Sequence, residues 1–148
     1  KTSHVIPALI RKFCTAADEG HPDVILWGTG SASREFLYVT DAARAIAMAT
    51  EKYDGPDPVN VGAGFEITIK ELAEKIKDLT GFAGGIIWDA TQPDGQPRRC
   101  LDTSRAKEFF GFEAQMPFDE GLCETIEWWK MHRDKQKLGC TAPSQNAM

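Results

Sequence analysis

The sequence is short of basic charge. Its 148 residues carry 17 Lys and Arg against 22 Asp and Glu, a net charge of −5 with His neutral. Proteins that hold nucleic acid non-specifically displace counterions from phosphates with a basic stripe. None runs through this chain, so nucleic acid is not an expected partner. Long apolar runs are missing too. The apolar stretches are a few residues long and cut by Asp, Glu, Lys or Arg, far below the roughly 20 residues that span a bilayer, so no membrane role is expected. Residues Lys1 to Pro7 show no continuous apolar segment with a small-residue cleavage site, which excludes a signal peptide reading. The expected address is cytoplasmic.

Cysteine is sparse and scattered. Cys14, Cys100, Cys123 and Cys140 form no Cys-x-x-Cys, and His4, His21 and His132 are too dispersed to suggest a metal site. Reduced thiols are expected, with Cys14 and Cys123 filling the apolar faces of helices. No Ser or Cys stands in a Gly-x-Ser-x-Gly elbow, so a hydrolase is not indicated. Internal repeats are absent as well.

What remains is an ordinary folded composition, 42% hydrophobic and 26% charged, in a chain long enough to bury roughly 70% of its unfolded surface. The spacing of Val5, Ile6, Leu9, Ile10 and Phe13 predicts a helix over residues 4–17. Asp23 to Trp27 is a short run of β-formers closed by Gly28-Thr29-Gly30, and Arg34 to Val39 alternates like a second strand that neighbours it. Thr40 is expected to cap a second helix to Lys52, with Asp41 in its first turn against the macrodipole. Val59-Asn60-Val61 reads as a brief strand. Thr68 and Glu71 have capping-box spacing ahead of a helix whose face is Leu72, Ile76 and Leu79. A strand over 84–88, a surface loop over 89–99, a short helix from Asp102 or Thr103 to Phe110 and an amphipathic helix from Phe118 to Arg133 complete the pattern. The order is that of an α/β or α+β fold with short strands. Residues 1–134 form the expected lobe, and 135–148 a disordered tail.

Two glycines directly after a strand, Gly28 and Gly30, invite comparison with a dinucleotide fingerprint. That motif needs a third small residue opening a helix, whereas the segment that follows, Arg34-Glu35-Phe36-Leu37-Tyr38-Val39, is strand-like. Gly62-Ala63-Gly64 has Ile67 at the third-glycine position and reads as a turn. The cations are more informative. Arg34 follows a turn, Arg98 and Arg99 end the 89–99 loop and Lys12 lies on the first helix. Such groups grip a phosphate or form a solvated face. Trp27 stacks on a base or sugar, or belongs to the core.

Five segments carry a specific resemblance. Ser3-His4-Val5-Ile6-Pro7-Ala8-Leu9-Ile10-Arg11, Asp23 to Gly30 with its Trp-Gly-x-Gly, Arg34-Glu35-Phe36-Leu37-Tyr38-Val39-x-Asp41, Asn60-Val61-Gly62 and Pro93-Asp94-Gly95 occur in that order. Together they resemble the C-terminal part of the GDP-L-fucose synthase family, extended short-chain dehydrogenases/reductases that act on sugar nucleotides. The resemblance runs from about Ser3 to Trp129. It implies an NADPH-dependent epimerase-reductase that converts GDP-4-dehydro-6-deoxy-D-mannose to GDP-L-fucose. His4 then matches the general acid of the epimerisations, beside the nicotinamide. An imidazole suits the task because its ordinary pKa of about 6.5 lets it give and recover a proton near neutrality. Trp27, Arg34 and Asp94 match substrate-binding positions, and Lys12 stands where the family has Arg, keeping the charge without the bidentate geometry.

The family's glycine-rich nucleotide loop, Ser and Cys pair and Tyr-x-x-x-Lys do not occur in this sequence, since Tyr38 is followed four residues on by Ala42 and Tyr53 by Asp57. The chain therefore resembles a substrate-binding lobe of a roughly twofold longer enzyme, with NADP held mainly by the remaining domain and a homodimer expected of the whole. Two alternatives stay open: another NAD(P)-dependent sugar-nucleotide epimerase or dehydratase, and a non-catalytic nucleotide-sugar-binding module.

Overall fold

A computed structural model describes residues 4–138, with side chains as far as Arg133. In chain order the elements are α1 (Val5–Glu19), β1 (Asp23–Trp27), β2 (Ser33–Arg34), α2 (Val39–Lys52), β3 (Ile67–Thr68), α3 (Ile69–Thr80), β4 (Gly85–Asp89), β5 (Arg98–Arg99), α4 (Ser104–Phe110) and α5 (Phe118–Leu138). This is the expected α/β mixture, with its strands in two small sheets.

Helix α1 buries Leu9, Ile10, Phe13, Cys14 and Ala16 along one face and ends at Gly20, which adopts the left-handed φ of 65° that glycine accepts without a Cβ clash. Helix α3 starts as its sequence requires. The Glu71 amide donates to the Thr68 hydroxyl at 3.1 Å, and the Thr68 amide donates back to Glu71 Oε2 at 3.0 Å. Strand β1 alternates, with Val24 and Leu26 inward and Ile25 and Trp27 outward. It pairs in parallel with β4, from Asp23 opposite Gly85 to Trp27 opposite Asp89. The inward residues of β1 meet the buried faces of α1 and α3 together with Phe82, Leu122 and Ile126, and the Phe13 and Phe82 rings lie 5.7 Å apart.

A second, smaller core forms where α2 crosses α4. Ala45 and Ala106 are wholly buried there beside Phe110 and Phe112, and the two alanines let the helix backbones come close. The second sheet has the order β3-β2-β5. Ser33 and Arg34 pair antiparallel with Thr68 and Ile67 and parallel with Arg98 and Arg99.

Several expectations are corrected. The strand over 34–39 stops at Arg34 and does not pair with β1, because Phe36 and Leu37 turn into the two different cores. Tyr38, not Thr40, is the N-terminal boundary residue of α2, and it makes no side-chain cap. Val59 and Val61 join the α2–α4 core without a strand partner. The 89–99 loop closes with β5, and α5 continues past Arg133 to Leu138. The rest of the expected tail, 139–148, lies outside the described residues.

Asp41 does more than face a helix dipole. It is buried, and its Oδ2 accepts from the Gln115 and Met116 amides at 2.9 and 2.8 Å while Oδ1 accepts from Arg44 at 2.7 Å. Burial alone would raise its pKa. The Arg44 guanidinium and the two amides outweigh burial and hold the carboxyl below its ordinary 3.8. Asn at this position can keep its carbonyl oxygen on the two amides only by turning an NH2 donor toward the Arg44 guanidinium and giving up the charge that pairs with it. Asp41→Asn is therefore expected to destabilise the chain by about 2–4 kcal/mol in urea melts at neutral pH. Because the folded pKa is depressed, this contribution is complete above pH 3.8 and is lost as pH falls through the lower folded value. The gap between parent and variant should narrow on acidification below pH 3.8.

Candidate functional site

A cleft of about 690 Å³ opens between the start of α1, the end of β2 and the segments around Val61 and Leu101, and His4, Arg34 and Arg99 line it. His4 precedes the first turn of α1 with extended backbone (φ −61°, ψ 152°), and its side chain makes no cap hydrogen bond. The exposed imidazole thus faces the cleft unengaged by the helix end. Arg34 is half-buried, one guanidinium nitrogen donating to the Ser33 carbonyl at 2.6 Å.

Glu35 holds the walls. Its Oε1 accepts from the Gly64 amide at 2.9 Å and its Oε2 from the Leu101 amide at 2.8 Å. A Cβ on Gly62 would collide with the same carboxylate, which explains in steric terms why glycine ends Asn60-Val61-Gly62. Sequence reasoning passed over Glu35. The available signal was an acid directly after Arg34, at the point where a short strand ends between two glycine-containing or irregular loops.

The Gly28–Gly30 turn has a different task from the one its spacing suggests. Gly28 and Gly30 both have left-handed φ, 77° and 76°, and a Cβ on Gly28 would strike the Asp94 carboxylate. Asp94 Oδ1 accepts from the Thr29 amide at 2.6 Å and Oδ2 from the Thr29 hydroxyl at 2.8 Å. These bonds, the amide first, hold the Asp94 carboxyl below its ordinary range, so it is anionic at neutral pH. An anion already fills the turn, its Thr29 amide is taken, and a strand rather than a helix N-terminus follows. The turn does not fit the pyrophosphate of a dinucleotide. His4 is the residue of this chain expected to meet NADP.

The remaining candidates, Lys12, Trp27 and Asp94, do not line the cleft. Lys12 donates to the Ile25 carbonyl at 2.8 Å, two residues before Trp27. Trp27 is 68% exposed at the end of β1, directly before the turn that holds Asp94. The Arg34 guanidinium in turn lies 4.0 Å from where a Cβ of Gly95 would stand. Trp27, Asp94, Arg34 and His4 therefore follow one another through the turn, the 94–95 loop and the cleft, with Lys12 at the far end. A second hollow, about 460 Å³, is lined by Tyr38, Phe65, Phe118 and Trp128 and contains no Lys or Arg. Its main polar feature is the Tyr38 hydroxyl donating to Glu124 at 2.5 Å. Without a cation it cannot neutralise a phosphate.

Residues 1–62 match the model of the NAD dependent epimerase/dehydratase family. The chain is 47% identical over 129 residues to the rice protein named probable GDP-L-fucose synthase 1, a match covering 87% of this chain and 39% of that one. It is 39% identical over 142 residues to the Escherichia coli GDP-L-fucose synthase, covering 90% and 44%. Its fold matches the crystal structure of a GDP-L-fucose synthetase from Naegleria fowleri bound to NADP with a TM-score of 0.83 at 28% identity, over 89% of this chain and 41% of that one. The chain spans about two fifths of the length of these relatives. It resembles the C-terminal part of a GDP-L-fucose synthase and has the fold of that lobe of an extended short-chain dehydrogenase/reductase.

If the Glu35 carboxylate is what holds the cleft walls, Glu35→Ala should free two amides at once. Hydrogen exchange is expected to speed up at Gly64 and Leu101 while the amides of α3, remote from this carboxylate, keep their protection.

Proposed function

We propose that the chain is the substrate-binding lobe, residues 1–134, of a GDP-L-fucose synthase. In this reading the parent enzyme converts GDP-4-dehydro-6-deoxy-D-mannose to GDP-L-fucose by epimerising C3 and C5 and reducing C4. The observation that carries the proposal is the placement of His4 and Arg34 in one cleft, with Asp94 and Trp27 brought up to it through the Gly28–Gly30 turn. Four separated segments of the resemblance contribute to this one strip, which supports a site for an extended ligand.

The roles follow from the chemistry of each group. Arg34 meets the diphosphate, since a guanidinium offers several N–H donors to phosphate oxygens in a fixed plane. Trp27 presents an exposed indole for stacking on the base or a sugar face. Lys12 adds a cation at the Trp27 end. Asp94, its carboxylate held by Thr29, sets the shape of the turn and leaves the Gly95 backbone beside Arg34. His4 returns protons to the carbons flanking the ketone, acting as general acid. When bound, NADPH would supply the hydride that reduces C4, and His4 is the residue of this chain that would lie beside it. The parent enzyme is proposed to be a cytoplasmic homodimer. Among the described residues no helix is long and apolar enough to cross a membrane.

Hydrogen exchange tests the substrate assignment. GDP-fucose is expected to protect residues 27–34 and the 94–95 loop of this chain, and UDP-sugars to protect them less. Equal protection by both would favour another sugar-nucleotide epimerase or dehydratase.

His4 is tested in the lobe joined to a complete cofactor domain. His4→Asn is expected to slow deuterium uptake from solvent at C3 and C5 by roughly 10²–10⁴-fold, the usual worth of a positioned acid or base, with little change in GDP-sugar affinity. Uptake at the parent rate would make His4 a plain helix-start residue.

A further inference from the structure

The ladder between β2 and β5 sorts four side chains onto two faces. In its register Ser33 lies opposite Arg98 and Arg34 opposite Arg99, and neighbouring strands run about 4.8 Å apart with paired residues on the same face. On the first face the charge is answered. Arg98 Nε donates to Glu66 Oε1 and Oε2 at 2.8 and 3.0 Å, and the Ser33 hydroxyl donates to Glu66 Oε2 at 2.7 Å. The second face is different. Arg34 and Arg99 both line the His4 cleft, and among the described residues neither forms a salt bridge. The nearest acid in sequence, Glu35, spends both oxygens on the Gly64 and Leu101 amides.

Two like charges side by side on one face of a sheet repel. An acidic chain that pairs Arg98 and leaves Arg34 and Arg99 adjacent and without carboxylates keeps a place for an anion. A guanidinium binds phosphate oxygens through paired N–H donors, and two of them at neighbouring ladder positions match two phosphate groups joined to each other. We propose that Arg99 is a substrate-positioning residue that, together with Arg34, clamps the diphosphate of a nucleotide sugar in the His4 cleft. This rests on the nucleotide-sugar reading above and adds a residue to it. It also selects between the tandem arginines: Arg99 serves the ligand and Arg98 the sheet.

Calorimetric titration of this chain with GDP and with inorganic pyrophosphate tests the clamp. Arg99→Met is expected to weaken both by about tenfold to a hundredfold, the range for losing a hydrogen-bonded charge. Arg99→Lys should recover part of the loss, since it restores the charge but not the fork, and it guards against a Met variant that fails to fold. Arg98→Met should leave GDP affinity within about twofold of the parent, an outcome a merely structural role of the ladder would not give. Unchanged GDP affinity in both Arg99 variants, or an equal loss in Arg98→Met, overturns the assignment. The two readings separate. GDP bound in preference to UDP with no effect of Arg99 would retain the proposed function and remove Arg99. Arg99-dependent pyrophosphate binding without preference for GDP would retain the clamp and remove the guanine nucleotide. A parent chain that binds neither probe overturns both.

Discussion

The Glu35 carboxylate is the constraint on which the cleft depends. Two backbone amides, at Gly64 and Leu101, come from segments 37 residues apart in the chain and converge on its two oxygens. Neither residue is paired in a ladder, and the carboxylate takes the place of the water that these exposed amides would otherwise bind, tying the two segments together. The carboxylate supplies both acceptors at once. Directly after Glu35 the chain leaves the ladder, and Phe36 lines the cleft beside Arg34 while packing against the main core. The carboxylate also requires glycine at position 62, where a Cβ has no room.

Carboxylates used in this way recur. Asp41 gathers the amides of Gln115 and Met116 and so ties the start of α2 to the approach of α5. Asp94 gathers the Thr29 amide and hydroxyl and so ties the 94–95 loop to the turn after β1. Glu71 closes the capping box of α3. In each case a short acidic side chain does for an irregular segment what a sheet partner would otherwise do. The consequence for function is electrostatic. A chain with net charge −5 commits these acids to its own backbone, and the cleft, lined by Arg34 and Arg99 against the single carboxylate of Glu35, is locally basic. Global charge argues against a polyanion as partner, and local charge favours a small one.

Much of the helical framework was legible in the sequence. Apolar spacing in α1, the Thr68 and Glu71 box of α3 and the Gly-terminated ends are local features, encoded within one or two turns. So was β1, as a run of β-formers closed by glycine, although its four consecutive apolar residues do not reveal that Val24 and Leu26 point inward and Trp27 outward. The short strands were harder. A two-residue strand such as β2 or β5 has no period of its own, and it exists only because the pairs Arg34–Ile67 and Arg34–Arg99 come together in space. Val59 and Val61 show the reverse: β-forming side chains without a partner strand, absorbed by the α2–α4 core.

The site divides along the same line. From sequence motifs alone come His4 at a helix start, Trp27 and two glycines at a strand end, and Arg34 after a turn, because each is a residue type in a local context. What only the tertiary structure decided is which of them share a cleft, that Asp94 is the anion filling the glycine turn, and that Arg99 rather than Arg98 faces Arg34's side of the ladder. Adjacent arginines are equivalent in a linear sequence. The pleat of a paired strand, with side chains alternating between faces at a period of two, sends one to Glu66 and the other to the cleft.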